Sequence, residues 1–498
     1  MRKSVISLIL ISILLIVSNI EGWAQVKKIN SSTFSGLKLR NIGPAMTSGR
    51  IADIAIHPKN ENIWYVAVGS GGVWKTTNAG TTWKPIFDKQ NSYSIGAITI
   101  DPNNPHTIWA GTGENVGGRH VGFGDGIYVS HDDGKSWKNM GLKKSEHLSK
   151  IIVHPKNSDI IWAVSQGPLW SKGGERGVYK STDAGKSWKR TLGDNEWVGA
   201  TDLLIDPENP DVLYAATWQR QRTVAAYIGG GPGSGLHKST DGGETWRKLT
   251  RGIPKSNLGK IGLAMSPFNS DIIYAAIELD RKSGGIFIST DRGESWKKQS
   301  DVVSGGTGPH YYQELYASPH QNGRLYLMNN SALVSKDHGK TFSRMNRSGQ
   351  HSDSHVVVFK TSDPNYLLFG TDGGLYESFD LTKSWKYVRN LPITQFFKIA
   401  VDDSKPFYTI YGGTQDNGTL GGPSQTKSSD GIANSDWWKV LGADGAQTAT
   451  EPGNPNITYG EYQQGVLFRI DQTSKESVFI QPQALEGDPF ERYNWDAP

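Results

Sequence analysis

Along the chain, short apolar runs recur at a regular distance, each interrupted by a proline- or asparagine-rich turn and then resumed. The segments "IAIHPKNENIWYVA" (54–67), "ITIDPNNPHTIWAG" (98–111), "IIVHPKNSDIIWAV" (151–164), "LLIDPENPDVLYAA" (203–216) and "LAMSPFNSDIIYAA" (263–276) share one outline. Weaker versions follow as "LYASPHQNGRLYLM", "VVFKTSDPNYLLFG", "IAVDDSKPFYTIYG" and "TATEPGNPNITYG". β-Branched and aromatic residues alternate with polar ones around each turn, which is the period of strands and not of helices.

A second element keeps step with the first. It reads "TTNAGTTW" (76–83), "SHDDGKSW" (130–137), "STDAGKSW" (181–188), "STDGGETW" (239–246), "STDRGESW" (289–296), "SKDHGKTF" (335–342) and "SFDLTKSW" (378–385). The third positions are Asn78, Asp132, Asp183, Asp241, Asp291, Asp337 and Asp380, spaced by 54, 51, 58, 50, 46 and 43 residues. Each period is therefore strand, Pro/Asn turn, strand, Gly-rich loop, strand, acidic turn, strand, the outline of a propeller blade. The pattern predicts an all-β chain with a seven-bladed β-propeller of four-stranded antiparallel blades over 36–392. A linker at 25–35 precedes it, and 393–498 read as the opening blades of a second, incomplete propeller. One larger ring of nine or ten blades is the other arrangement the spacing allows.

In the octapeptide, the carboxylate can accept N–H groups of its own turn, the glycine supplies a positive φ, and the hydroxyls satisfy further backbone groups. The closing Trp is placed to pack between neighbouring blades. A calcium loop needs six or more oxygens, and each copy offers one or two carboxylates. Asn78 stands for the acid in one copy and Thr382 for the glycine in another. The octapeptide is thus expected to be architecture.

Composition narrows the classes. With 498 residues, 59 Gly and 36% hydrophobic content, the chain suits many short strands with tight turns. Arg2 and Lys3 precede an apolar run from Val5 to Val17, and Gly22 and Ala24 follow, the outline of a signal peptide over 1–24; a retained anchor is the alternative. Removing 1–24 takes two cations and one anion, so the net charge of +5 becomes +4. That is no nucleic-acid footprint. The absence of cysteine excludes disulfides and thiol chemistry. A secreted or periplasmic monomer without a transmembrane span in the mature chain is expected, with association at the outer surface as a variant of that expectation.

The octapeptides resemble the Asp boxes, or BNR repeats, of sialidases, of the sortilin/Vps10 luminal domain and of family 74 glycoside hydrolases. "LRNIGPAMTSGRIADIAIHP", "GSGGVWKTTNAGTTWKPIFD", "GGGPGSGLHKSTDGGETW", "GTDGGLYES" and "YGGTQDNGTLGGPS" are similar to exported bacterial proteins of the sortilin N-terminal and BNR-repeat glycosyl hydrolase type. The resemblance runs over 36–498. It implies either a propeller that binds a polysaccharide, peptide or protein ligand, or a xyloglucanase-like hydrolase working with paired carboxylates. In the hydrolase pattern the first blade carries an acid in a Thr-Asp-x-Gly-Gly turn; "AVGSGGVW" places Gly69 there, and "GTDGG" keeps the pattern at Asp372.

If the Pro/Asn turns and acidic turns share one face, the long loops share the other, and recognition is expected on that second face. Candidate catalytic acids there are Asp372, Glu114 and Asp125. Candidate ligand-binding residues are Arg119, His120, Trp218, Arg220, Arg222, His310, Tyr312, Glu314, Gln415, Asp416 and Asn417, with Trp170 and Tyr227 as further exposed aromatics for sugar stacking. In "HSDSH", His351, Asp353 and His355 fall on one side of an extended strand, a set able to hold a divalent cation or serve as an acid–base pair. The same spacing also fits an ordinary polar strand start. No cofactor is required.

Overall fold

The computed structural model describes residues 29–37, 39–118, 121–193, 195–280, 283–305, 308, 310–346 and 348–497. The expected signal peptide lies outside them. Residues 1–42 and 43–498 form separate compact units. In the first, Ser31–Phe34 make one 3-10 turn capped by Asn30, whose Oδ1 accepts the Ser32 N–H at 2.9 Å.

In the second unit, the described residues form nine four-stranded antiparallel sheets, spanning 51–85, 95–139, 148–192, 198–249, 261–300, 315–344, 354–387, 398–441 and 445–479. No α-helix occurs among the described residues. A two-stranded ribbon, Gln221–Arg222 with Tyr227–Ile228, rises from the loop of the fourth sheet. Strands within a sheet follow chain order, each pairing with the next; Trp64, for example, lies opposite Ile56 and Thr76. The all-β expectation holds, and this is the architecture of propeller blades.

Position in the sheet decides composition. Second strands such as Trp64–Val68 and Ile108–Thr112 are buried throughout. Buried on both faces, they read as near-continuous apolar runs. Fourth strands such as Lys84–Pro85 and Lys138–Asn139 are short and largely exposed, so they carry lysine. First strands of successive sheets touch one another through the first six sheets, and Ile51–Ile56 of the first also touches Ser354–Phe359 of the seventh.

The acidic octapeptides are turns, as expected. Asp183 Oδ1 accepts the Ser187 N–H at 2.9 Å and the Ser181 hydroxyl at 2.8 Å, while Ser187 Oγ donates to Oδ2 at 2.6 Å. The buried Ser181 Oγ accepts the Gly185 N–H at 2.8 Å. Asp132, Asp241, Asp291, Asp337 and Asp380 repeat the pattern, and Asn78 keeps its oxygen half, accepting Thr82 N–H at 2.9 Å. Hydrogen bonds from Ser187 hold the Asp183 carboxyl down at about 2. Two successive residues take positive φ, Ala184 at 58° and Gly185 at 79°; a Cβ on Gly185 would stand 2.6 Å from the Trp109 ring of the preceding sheet. In the last copy Leu381 and Thr382 adopt the same pair at 56° and 73°.

Each acidic turn meets the Pro/Asn turn of its own sheet: Ala184 N–H donates to Asp159 O at 3.0 Å, and Arg292 N–H to Asp271 O at 3.1 Å. The two turn types therefore do share a face. The closing tryptophans join sheets: Trp137 Nε1 donates to Ile86 O at 2.7 Å, and Trp188 Nε1 to Met140 O at 2.8 Å. Between the first and seventh sheets the seam is denser. Trp83 Nε1 donates to Asn390 Oδ1 at 3.3 Å, and Asn390 Nδ2 donates to Gly80 O and Thr81 O at 3.0 and 2.9 Å. Glu61 Oε1 accepts the Thr361 and Ser362 N–H groups at 2.7 and 3.1 Å. Ile51, Trp64 and Val66 share a core with Val356, Tyr366 and Leu368.

A narrow cavity runs among the first strands, lined by Asp53, Lys150, Asp202, Lys260 and Glu314. Asp53 and Asp202 hold neighbouring sheets together here, each accepting a backbone N–H (Ile98, Leu263) at 2.9 Å.

Candidate functional site

Side chains from the second, sixth and seventh sheets converge on Arg50. It immediately precedes the strand Ile51–Ile56, so the last step of the lead-in delivers it to the inner end of the first sheet. Its Nε donates to Asp372 Oδ1 at 2.6 Å, Nη1 donates to Glu114 Oε2, and Nη2 contacts the Tyr311 hydroxyl. Tyr311 OH also donates to Asp372 Oδ2 at 2.7 Å. His355 Nε2 lies 2.6 Å from Asp372 Oδ1.

Each partner arrives from a position fixed by the sheets. Asp372 occupies the turn between Leu367–Thr371 and Gly374–Ser378, Glu114 follows Ile108–Thr112, and Tyr311 lies in the lead-in to Leu315–Ala317. Asp416 sits in the turn between Thr409–Thr414 and Gly418–Pro423 at φ 66°. Every one is a lead-in or a connection between second and third strands, so the basin forms on the face opposite the acidic turns.

A small pocket opens beside this network, walled by Arg50, Asp372, Phe397, Gln415, Asp416 and Asn417. Asn417 Nδ2 donates to Ser48 O and Asp372 O at 3.1 and 3.3 Å, fixing the turn of the eighth sheet against the first and seventh. Asp416 N–H donates to Asp444 Oδ1 at 3.3 Å. Oxygen atoms of Asp353, Asp372 and Asp416 lie within 4.8 Å of one another.

The two pocket acids are driven in opposite directions. Burial alone would raise Asp372, but Arg50 and His355 outweigh it and hold the carboxyl well below the usual carboxylate range. Asp416 is pushed well above that range by burial, by Asp372 and by Asp444. Glu114 is raised by burial, which Arg50 and Ser70 only partly offset.

The expected residues sort out as follows. Glu114 and Asp372 do come together, bridged by Arg50 instead of facing an open gap. Asp125 is used inside its own sheet, where its Oδ2 accepts the Tyr128 hydroxyl at 2.7 Å. Arg119 and His120 lie outside the described residues. Trp218, expected to be exposed for stacking, is 1% exposed, and its Nε1 donates to Gly229 O at 2.9 Å. Arg220 is fully buried and donates to Gly167 O at 3.0 Å. Arg222 donates to Gly117 O at 3.2 Å and stacks between Trp170 and Tyr227. Of the aromatics, Trp170 remains open at 52% exposure.

The alternation expected over "HSDSH" does not form. Asp353 has φ 63°, and the strand starts only at Ser354, so His351, Asp353 and His355 do not share one side. His351 is engaged by carbonyls, Nδ1 with Ser352 O at 2.8 Å and Nε2 with Asp416 O at 3.0 Å, while Asp353 accepts from Tyr312 and Asn330. Likewise Gln313 has φ 93° and the strand begins at Leu315, so 310–314 is a loop. Consequently the adjacent Tyr311 and Tyr312 both reach the acids. His310 packs its ring on Tyr227 at 4.8 Å, and Glu314 turns to Lys260 at 2.6 Å. Gln415, Asp416 and Asn417 fall in or beside the pocket.

Arg50 and Tyr311 were not singled out in the sequence. Gly69 held the signal for Arg50: a Cβ there would stand 3.3 Å from both Arg50 Cδ and Glu114 Cδ. The acid missing from the first-blade turn is thus replaced in space by Glu114 from the second sheet.

The family model for sortilin, neurotensin receptor 3 matches residues 125–278 and 284–439, more than half of the chain. The chain belongs to the Sortilin-Vps10 family. This member is also similar to an oligoxyloglucan-reducing end-specific xyloglucanase of Emericella nidulans, 21% identical across 93% of this chain and 56% of the relative. A xyloglucanase of Hypocrea jecorina is 26% identical across 44% of this chain and 27% of the relative. The chain therefore spans about half or less of the lengths of these relatives. Among solved structures, a GH74 enzyme of Niastella koreensis superposes with a TM-score of 0.54 at 15% identity, covering 89% of this chain and 75% of that one. PorZ, a surface component of the type-IX secretion system of Porphyromonas gingivalis, gives 0.52 at 11% identity, covering 91% and 55%. These likenesses establish the propeller fold.

Proposed function

We propose that this Sortilin-Vps10 family member is an exported propeller that binds a glycan in the Arg50–Asp372–Asp416 basin on its long-loop face. One observation carries the reading: charged, amide and aromatic groups of the first, seventh and eighth sheets line one open pocket, whereas the third-position acids of the octapeptides spend their carboxylates within their own turns. Carboxylates, an amide and the Phe397 ring suit a hydroxyl-rich ligand with one apolar face. The names of the xyloglucanase relatives support a glycan over a peptide or protein. Within this proposal, residues 36–392 close as seven blades, supported by the seam of Glu61, Trp83 and Asn390. Residues 393–498 open a second propeller, supported by the contact between the first strands of the eighth and ninth sheets. Export rests on the N-terminal pattern; no helix of the described residues is long and apolar enough to cross a membrane.

A second reading, glycoside hydrolysis, is favoured by the opposite displacement of Asp372 and Asp416, one pushed below and the other above the ordinary carboxylate range. Against it, Asp372 is occupied by Arg50, His355 and Tyr311. Calorimetric titration with xyloglucan and β-glucan oligosaccharides, alongside an assay for reducing-end release, separates the two. Binding without turnover supports the first reading. Turnover abolished by Asp372→Asn in a folded variant supports the second, and absence of both refutes the glycan assignment.

A further inference from the structure

Three positions meet where neighbouring sheets join: the residue just before an octapeptide, the residue just after it, and the sixth residue of the next octapeptide. Between the third and fourth sheets, Glu244 bridges Lys180 and Lys189 at 2.8 Å from each. Between the fourth and fifth, Glu294 bridges Lys238 and Arg247 at 2.7 and 2.8 Å. Hydrogen bonds from Lys180 and Lys238 hold these two carboxyls below their ordinary range. Where the residue before the octapeptide is apolar, as at Val129, Ile288 and Val334, the next turn carries Lys186, Lys340 or Lys383. The junction of the first and second sheets breaks this rule. Lys75 and Lys84 form the same cation pair there, and Lys75 Nζ donates to Asp133 O at 3.1 Å just as Lys238 Nζ donates to Arg292 O at 2.8 Å. Yet the sixth position holds Lys135 where the other two pairs meet a glutamate.

An open cleft marks the place, lined by Lys75, Trp83, Lys84, Ile86, Asp133 and Lys135. Asp133 is the one acid among the described lining residues. Its carboxylate lies 3.0 Å from His106 Nδ1 and 3.9 Å from Lys75 Nζ. Three ammonium groups thus face one carboxylate that is shared with an imidazole. Lys75 is only 15% exposed. Burial lowers its pKa, and Lys135 and Lys84 lower it further against the pull of Asp133. We propose that this cleft, separate from the basin, is an anion site that takes the carboxylate of a uronic-acid glycan in the place filled by Glu244 and Glu294 at the later junctions. The Trp83 ring and Ile86 suit the apolar face of the sugar that carries the acid. An extended peptide fits less well. The outer strand here is only Lys84–Pro85, and Pro85 has no N–H, so a peptide backbone finds no ladder to join.

The test titrates the whole chain calorimetrically, at low salt and near neutral pH, with oligogalacturonates, their methyl-esterified counterparts and oligoglutamate. The oligogalacturonates are expected to bind about ten-fold or more tighter than the esterified series. Lys135→Glu supplies the missing carboxylate from the turn itself. It should weaken oligogalacturonate binding by about ten-fold or more while melting no lower than the parent. Lys186→Glu makes the same charge change at the next junction and should leave the affinity unchanged. Absence of oligogalacturonate binding overturns the proposal, as does equal binding of the esterified series, binding that survives Lys135→Glu, or an equal loss in Lys186→Glu. Oligoglutamate that binds tighter than the oligogalacturonates and is lost in Lys135→Glu overturns it in favour of an acidic peptide. The basin is probed with neutral oligosaccharides, so failure here leaves that reading standing.

Discussion

Removing the Arg50 guanidinium leaves Asp372 and Glu114 buried beside each other with no cation between them. Breaking a buried pair by deleting one partner typically costs about 3–5 kcal/mol, so Arg50→Met is expected to be among the most damaging single changes, read as a lowered unfolding midpoint. The pH dependence has a definite sign. Asp372 is held below its ordinary pKa, so its contribution is present above the unfolded carboxylate pKa and lost on acidification. Asp416 behaves oppositely: its folded pKa is raised, so folding is progressively penalised as pH climbs from the unfolded pKa toward the raised one. Asp416→Asn should therefore raise the melting midpoint near neutral pH and have little effect in acid. In the octapeptides the buried hydroxyl matters alongside the acid. Ser181→Ala leaves the Gly185 and Asp183 N–H groups without their acceptor and is expected to cost about 1–3 kcal/mol.

Within single elements, sequence and structure agree where contacts are local. The acidic turn closes within eight residues, its bonds spanning two to four positions, so hydroxyl, acid and glycine are readable from their order alone. Period-2 reading fails just outside the strands: one left-handed residue, Asp353 or Gln313, ends the alternation and redirects every side chain before it. That is why Tyr312 was legible while its neighbour Tyr311 was not. Burial of the long-loop residues was also invisible, because Trp218 and Arg220 are covered by other parts of the long-loop face and not by their own strands. At the seam, Glu61 joins the first sheet to the seventh through Thr361 and Ser362, which hold its carboxyl down at about 2. Glu61→Ala should lower the melting midpoint above the ordinary carboxylate pKa, and the difference from the parent should shrink as pH falls through the range where Glu61 protonates.

At the scale of the molecule, the fold was legible because it is repetitive, and the site was not because it is assembled once. Arg50 meets Tyr311 across 261 positions and Asp372 across 322, distances over which no spacing rule operates. The repeats set nine sheets and thereby sort the chain into two faces. On one, carboxylates stabilise turns; on the other, they are brought together and left partly uncompensated. This division predicts a separation of effects. Changes in the octapeptides should alter stability, and changes in the basin should alter recognition.

One paired measurement tests that division most directly: affinity for a glycan ligand and melting midpoint, determined together for the parent chain, Asp183→Asn and Asp416→Asn. The account predicts that Asp183→Asn melts earlier and binds as the parent does, whereas Asp416→Asn binds more weakly and melts no earlier. Loss of affinity in Asp183→Asn at an unchanged melting midpoint would contradict it.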